Sequence, residues 1–326
     1  MRVLVTGGAG YVGSISVEAL LAGGHEVTVL DSLVMGHREA VPAGAKLVVG
    51  SVADLPAVTD LLREWRIEAV LHCAARSLVP ESIRDPALYY RENVSGGVTL
   101  LEGLREAGVS RLVFSSSAAV YGAQDSKPID ETVPPRPVNP YGETKRAFEG
   151  ALAWYGAGHG LRAFALRYFN VAGASNALGE DHNPETHLVP NVLKACLGGP
   201  PVVVMGTDYP TPDGTCIRDY IHVQDLADAH LSALAYTERA APGLEVCNLG
   251  SGSGFSVLQV LEAAESVVGK PVPHQMGPRR AGDPPVLVAT NDRAREVLAW
   301  EPRRGTLGEM IGSAWSWHRE HPTGYE

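Results

Sequence analysis

Four cysteines in 326 residues, at 73, 196, 216 and 247, are too few and too scattered to organise the chain. No C-x-x-C pair is present, which removes the usual zinc and redox motifs. Buried reduced thiols in a cytosolic setting fit the pattern better than disulfides. No apolar run is long enough to span a bilayer, and Met1 leads directly into a first apolar strand with nothing resembling a signal peptide. Lysine is scarce beside arginine, and 27 basic residues face 37 acidic ones for a net charge of −10. That balance excludes non-specific nucleic-acid binding and attachment to an anionic membrane surface. Internal repeats, low-complexity tracts and flexible linkers are missing as well. What remains is an ordinary globular composition, 45% hydrophobic and 20% charged, on a length that suits one large or two ordinary domains.

One stretch near the start organises the rest. An apolar run, Arg2-Val3-Leu4-Val5-Thr6, enters Gly7-Gly8-Ala9-Gly10-Tyr11-Val12-Gly13 and then a helical pattern. Gly8, Gly10 and Gly13 satisfy G-x-G-x-x-G, which supplies a tight turn, a close approach to a pyrophosphate and tight helix–strand packing. The helix that follows aims its free N–H groups and positive dipole end at that pyrophosphate. A second strand, Glu26-Val27-Thr28-Val29-Leu30, ends at Asp31, near the spacing for a carboxylate on the adenosine ribose. An acid there selects NAD over NADP, whose extra phosphate it repels.

Short apolar strands then alternate with helical stretches: Leu47-Val48-Val49, Ala69-Val70-Leu71, Leu112-Val113-Phe114 and Phe164-Ala165-Leu166, with helices near 54–65, 86–107 and 141–156. Alternation of this kind predicts an α/β fold, a doubly wound parallel sheet of Rossmann type covered on both faces. In such sheets the ligand crevice lies at the carboxyl ends of the strands, which selects the loops 6–13, 31–38, 50–54, 72–82, 114–121 and 167–175. Past residue 170 the alternation breaks down and Pro and Gly thicken. The expected organisation is a nucleotide-binding domain over 1–170 and a smaller α/β substrate-binding domain over 171–326. Residues 221–245, with a helix over Asp225–Tyr236, are able to return to the first domain.

Pro140-Tyr141-Gly142-Glu143-Thr144-Lys145 carries the chemistry. Tyr141 and Lys145 are four apart and share one helix face. A phenol has a reference pKa of about 10, and a neighbouring ammonium favours its charged form and draws it toward the working range. Upstream, Phe114-Ser115-Ser116-Ser117 ends a strand at the crevice edge, where a hydroxyl can bridge substrate and phenol.

At this point the chain resembles the extended short-chain dehydrogenase/reductases over essentially its whole length, and within them the UDP-glucose 4-epimerase group. Thr6 to Gly13 resembles the motif TGGAGYIG, Ser115 to Gly122 resembles SSSATVYG, and Asn139 to Lys145 resembles SPYGxSK. Arg167 to Asn170 matches RYFN, Asp208 to His222 is similar to DYPTxDGTxxRDYIH, and Pro278 to Asp283 is similar to PRREGD. The resemblance implies a catalytic set of Ser117, Tyr141 and Lys145. On the cofactor side it implies Gly7, Gly10, Tyr11, Val12, Gly13, Asp31, Ser32, Ser51, Val52, Ala74, Asn93 and Phe169, with Tyr141 and Lys145. For the nucleotide-sugar it implies Ser117, Asn170, His187, Leu188, Val203, Met205, Arg218, Tyr220, Arg280, Asp283 and Leu287. Arginines suit a diphosphate on physical grounds too. The implied activity is an NAD-retaining isomerase that interconverts UDP-glucose and UDP-galactose through a 4-keto sugar. The implied assembly is a homodimer paired through the helices near 86–107 and 141–156, and the implied setting is the cytoplasm.

The sequence departs from the family pattern at Ile15, at Ser51 in place of an aspartate, and at Ala119 in place of a threonine. Related dehydratases and decarboxylases place acids just after the serine strand, where this chain has Ala118 and Ala119. A catalytically silent NAD-binding module is disfavoured by Ser117, Tyr141 and Lys145 occurring together. Leu287, four residues after Asp283, stands where the family's tyrosine limits the sugar's 2-substituent, so a roomier pocket is expected. Glu180, Asp181, His182, Glu185 and His187 match no metal-ligand spacing, are interrupted by Asn183-Pro184, and read as a solvated loop with no metal.

Overall fold

The computed structural model describes residues 1–124, 128–279 and 283–325. The strands are β1 Arg2–Thr6, β2 Glu26–Asp31, β3 Lys46–Val49, β4 Ala69–His72, β5 Arg111–Ser115, β6 Arg162–Tyr168, β7 Asn170–Ala172, β8 Val202–Met205, β9 Ile217–His222, β10 Gly243–Leu249, β11 Gly254–Ser256, β12 His274–Gly277 and β13 Val286–Leu287. The helices are α1 Tyr11–Ala22, α2 Leu55–Glu64, α3 Val79–Arg84, α4 Pro86–Tyr89, α5 Gly96–Ala107, α6 Pro140–His159, α7 Leu188–Cys196, α8 Val223–Arg239, α9 Val257–Val268, α10 Asp292–Leu298 and α11 Leu307–Glu320.

Seven strands form one parallel sheet in the order β10-β6-β5-β4-β1-β2-β3. Successive side chains of a strand point to opposite faces, and both faces here are apolar. Val3 and Val5 of β1, with Leu71 and Val113, pack under α1 and α8 against Val17, Leu20, Leu226 and Ala233. Leu4, Val70, Leu112 and Phe114 face the other way onto α2, α5 and α6, against Leu62, Leu100, Leu104, Phe148 and Leu152. The chain leaves β3 at one edge and re-enters at β4 beside β1, so the order reverses between β1 and β4. A crevice opens at such a reversal.

The second core is smaller. Strands β7, β9, β11 and β13 form one short sheet, β8 pairs β12, and α7, α9 and α11 bury Leu193, Val260, Met310 and Ile311 against them. Residues 221–245 divide between the two. Strand β9, which includes Ile221 and His222, belongs to the small sheet, whereas α8 packs on α1 and β10 adds the seventh strand beside β6. Buried Asp219 of β9 ties the units together. Its carboxylate accepts hydrogen bonds from the backbone N–H groups of Ser251 and Ala289 at 2.7 and 3.0 Å.

Candidate functional site

The β1–α1 turn shows why glycine is needed. Gly7 sits at φ +71°, and a Cβ there would lie 2.5 Å from the backbone nitrogen of Ala74. A Cβ on Gly13 would lie 2.0 Å from the carbonyl oxygen of Gly7. Backbone is therefore packed on backbone, and α1 begins against β1 with its first N–H groups facing the crevice. Asp31 ends β2 with its carboxylate receiving the N–H groups of Ala9 and Leu33, both at 2.9 Å. A bare cradle of N–H groups followed by a carboxylate fits a dinucleotide's pyrophosphate and ribose.

Asn139 starts α6 by accepting the Gly142 N–H at 2.9 Å, with Pro140 in the first turn. This cap fixes the phase of the helix and brings both Tyr141 and Lys145 to the crevice wall, 8% and 3% exposed. The Lys145 ammonium donates to the Ser115 carbonyl at 2.7 Å and lies 5.8 Å from the Tyr141 ring centre. Burial lowers the Lys145 pKa to about 8. Burial also raises the Tyr141 phenol, and the neighbouring Ser117 hydroxyl opposes the rise. With the Lys145 ammonium committed to a carbonyl, burial dominates the surroundings of the phenol here.

These groups share one cleft of about 1440 Å³, to which all six strand-end loops contribute. From the large-sheet unit, Gly7, Gly10, Tyr11, Val12, Gly13, Asp31, Ser32, Ser51, Val52 and Ala74 line it. Ser117, Tyr141, Lys145, Phe169 and Asn170 line it as well, and so do His187, Leu188, Val203, Met205, Arg218, Tyr220, Asp283 and Leu287. Arg218 and Asp283 meet at 3.5 Å, and Leu287 sits opposite Arg218 in the β13–β9 pair. Arg280 lies outside the described residues.

Asn93 is different. It is buried in the π-helical turn Tyr90–Ser95 and does not line the cleft. Its amide accepts the Arg76 N–H at 2.8 Å and donates to the Arg76 carbonyl and the Thr144 hydroxyl, both at 3.0 Å. Asn93 therefore ties the 74–78 wall to α6. The wall residues Ala75, Arg76 and Ser77, with Cys73 and Tyr168, are cleft positions that the motifs did not single out. Their signal was the strand-end rule, which selected 72–82 as a loop without saying which residues face inward.

With this geometry in view, the comparisons with known proteins are specific. The profile of the NAD dependent epimerase/dehydratase family matches residues 3–250. The chain belongs to this family. It is 49% identical over 329 residues to a UDP-glucose 4-epimerase of Lactobacillus helveticus, covering 100% of this chain and 99% of that one. A crystal structure of a UDP-glucose 4-epimerase superposes with a TM-score of 0.97 at 45% identity, covering 100% of both chains. One from Stenotrophomonas maltophila, solved with bound NAD and formylated UDP-arabinopyranose, gives 0.95 at 41% identity and 99% coverage of each. The glycine turn and Ser117, Tyr141 and Lys145 thus line one cleft in a member of the NAD dependent epimerase/dehydratase family.

One sequence-based reading is corrected. The segment 180–187 is solvated only in part: Asn183, Pro184, Thr186 and His187 are exposed, but the Glu180 and Glu185 side chains are 5% and 6% exposed and that of His182 is 16% exposed. Leu178 packs on Tyr11 and Ile15 of α1, and this anchors the segment against the cleft. Burial opposes charge on His187, but Glu180, 2.5 Å from its Nδ1, outweighs it and raises the imidazole to about 9. Among the described residues, Glu180, His182, Glu185 and His187 also line the cleft.

Proposed function

We propose that this chain interconverts UDP-glucose and UDP-galactose as an NAD-retaining 4-epimerase, with UDP-N-acetylglucosamine as a secondary substrate. The observation that supports this best is the single cleft. It is lined by the glycine cradle of the large sheet, by Arg218 and Asp283 of the smaller core, and by Ser117, Tyr141 and Lys145. NAD, when bound, supplies a hydride acceptor and donor and a positive charge in the cleft. The 1–170 core with α8 and β10 holds that cofactor, and the smaller core holds the nucleotide-sugar.

In this reading the Tyr141 Oη takes the proton of the sugar 4-hydroxyl and later returns it to the 4-keto intermediate. Ser117, which lines the cleft with Tyr141, orients the sugar hydroxyl toward the phenol, and Lys145 fixes the strand end that carries Ser117. Arg218 binds the diphosphate as a planar, permanently charged donor. Asn170, whose amide donates to the Asp219 carbonyl at 3.0 Å, and Leu188 border the path along which the sugar turns. Ala118 and Ala119 line the cleft beside Ser117 and offer no acid for eliminating water, which favours epimerisation over a dehydratase reaction.

The homodimer, paired through α5 and α6, belongs to the same proposal, as does a cytoplasmic setting. Among the described residues, no helix is long and apolar enough to cross a membrane. The deciding experiment is Tyr141→Phe. The variant is expected to fold, to release NAD on denaturation like the parent, and to lose turnover by ~10²–10⁴. Near-normal turnover removes Tyr141 from the mechanism.

A further inference from the structure

We infer that Glu180, His182, Glu185 and His187 form a binding site for one divalent transition-metal ion at the rim of the cleft. One nitrogen or oxygen from each side chain lies within 4.8 Å of all the others. The separations are 3.2 Å from Glu180 Oε1 to His182 Nδ1, 3.9 Å from His182 Nδ1 to Glu185 Oε2, and 2.5 Å from Glu180 Oε1 to His187 Nδ1. Metal–ligand bonds of about 2.0–2.2 Å set ligand–ligand edges of about 3.3–3.6 Å around a tetrahedral ion. The observed spacings bracket those edges, so small side-chain rotations suffice.

The second observation is independent of the clustering. Glu185 Oε2 is buried and has no hydrogen-bond partner, although its side chain is 94% shielded from solvent, and buried His182 Nδ1 has only the Glu180 Oε1 contact at 3.2 Å. The other oxygen, Oε1, accepts the N–H groups of Thr186 and His187, both at 2.8 Å, and these bonds hold the carboxylate in place. Buried polar atoms left without partners are rare in folded proteins. Glu185 Oε2 lies 3.9 Å from His182 Nδ1, too far for a hydrogen bond and close enough to be bridged by an ion. His182 is held on its other side by the edge of the Tyr11 ring, 6.4 Å between centres.

The donor set selects the ion. Two imidazoles and two carboxylates suit zinc and its neighbours in the first transition row, whereas calcium and magnesium demand six or more oxygens. On binding, the ion displaces the proton between His187 and Glu180, and its two positive charges meet the two carboxylates. The ion would then fasten 180–187 as one wall of the cleft.

The test uses the full chain, stripped with a chelator and dialysed. Titration with Co²⁺ is expected to give the intense visible bands of a four-coordinate ion at one equivalent, and Zn²⁺ is expected to bleach them while millimolar Mg²⁺ does not. Glu185→Gln and His182→Ala, each checked for folding by circular dichroism, should weaken Zn²⁺ binding by more than the ~10–100-fold cost of losing an outer partner. Absence of a saturable four-coordinate Co²⁺ spectrum in the parent chain overturns the inference, whatever the variants do. So does unchanged Zn²⁺ affinity in folded variants.

Discussion

His230 illustrates how far a single residue's behaviour depends on what surrounds it. It lies fully buried on α8, with Nε2 2.8 Å from the Ser115 hydroxyl and Nδ1 3.3 Å from that of Ser16. Burial lowers its pKa to about 3, and burial does the same to His72. Both folded values lie below the unfolded value near 6.5, so on acidification the unfolded chain takes up these protons first. Their stabilisation is complete above pH 6.5 and is lost as the pH falls toward 3. Denaturant unfolding at a series of pH values should show His230→Gln flattening the acid slope by about 1.4 kcal/mol per pH unit. Parallel curves would assign the slope to other groups. Leu287 is the other residue whose identity has a direct consequence. It packs beside Phe169 and Tyr121 and lines the cleft. Leu287→Tyr is expected to suppress turnover of UDP-N-acetylglucosamine by the ~10–200-fold typical of a small steric mismatch while sparing UDP-glucose. Equal loss on both substrates would show that it is not the gate.

At the scale of elements, the wall behind the catalytic serine strand is held by charge. Glu149 of α6 receives Arg167 of β6 through two bonds, 3.0 Å from Nε and 2.6 Å from Nη2, and the Ser116 hydroxyl donates to it at 2.6 Å. Arg167 also donates to the Tyr121 hydroxyl at 2.9 Å, which in turn donates to Asn248 of β10 at 2.7 Å. Both charged side chains are under 10% exposed. Removing one partner of such a pair strands the other without water. Glu149→Ala should therefore destabilise the fold by ~3–5 kcal/mol in chemical denaturation, and Arg167→Met placed on top should recover part of that loss. A loss below 1 kcal/mol would mean that water reaches Arg167. The sequence indicated Arg167 as part of a motif, but its partners Glu149 and Tyr121 lie 18 and 46 residues away and follow no local period.

For the whole molecule, the open question is assembly. Trp154 of α6 is 78% exposed and Tyr90, which leads into α5, is 44% exposed. Both lie on the stretches 86–107 and 141–156 proposed to pair across a two-fold axis, where the pairing would bury them. Sedimentation at micromolar concentration should give the dimer mass, and Trp154→Glu should shift it toward the monomer. A parent chain that sediments as a monomer refutes the pairing.

What the sequence determined alone follows from local chemistry. Alternating apolar strands and helical periods, glycines where backbone meets backbone, and a Tyr–Lys pair one helical turn apart specified the parallel sheet. They also specified the six loops of the cleft. The tertiary structure decided the rest, because burial and partnership are set by residues remote in the chain. Folding turned Asn93 toward the Arg76 backbone instead of the cleft and split 221–245 between two sheets. It also buried the Tyr141 phenol, which raises its pKa. The acidic and histidine-rich stretch from 180 to 187 looks polar and interrupted as a string. Only its packing against α1 and the cleft removes the water from Glu180 and Glu185 and leaves two donor atoms 3.9 Å apart.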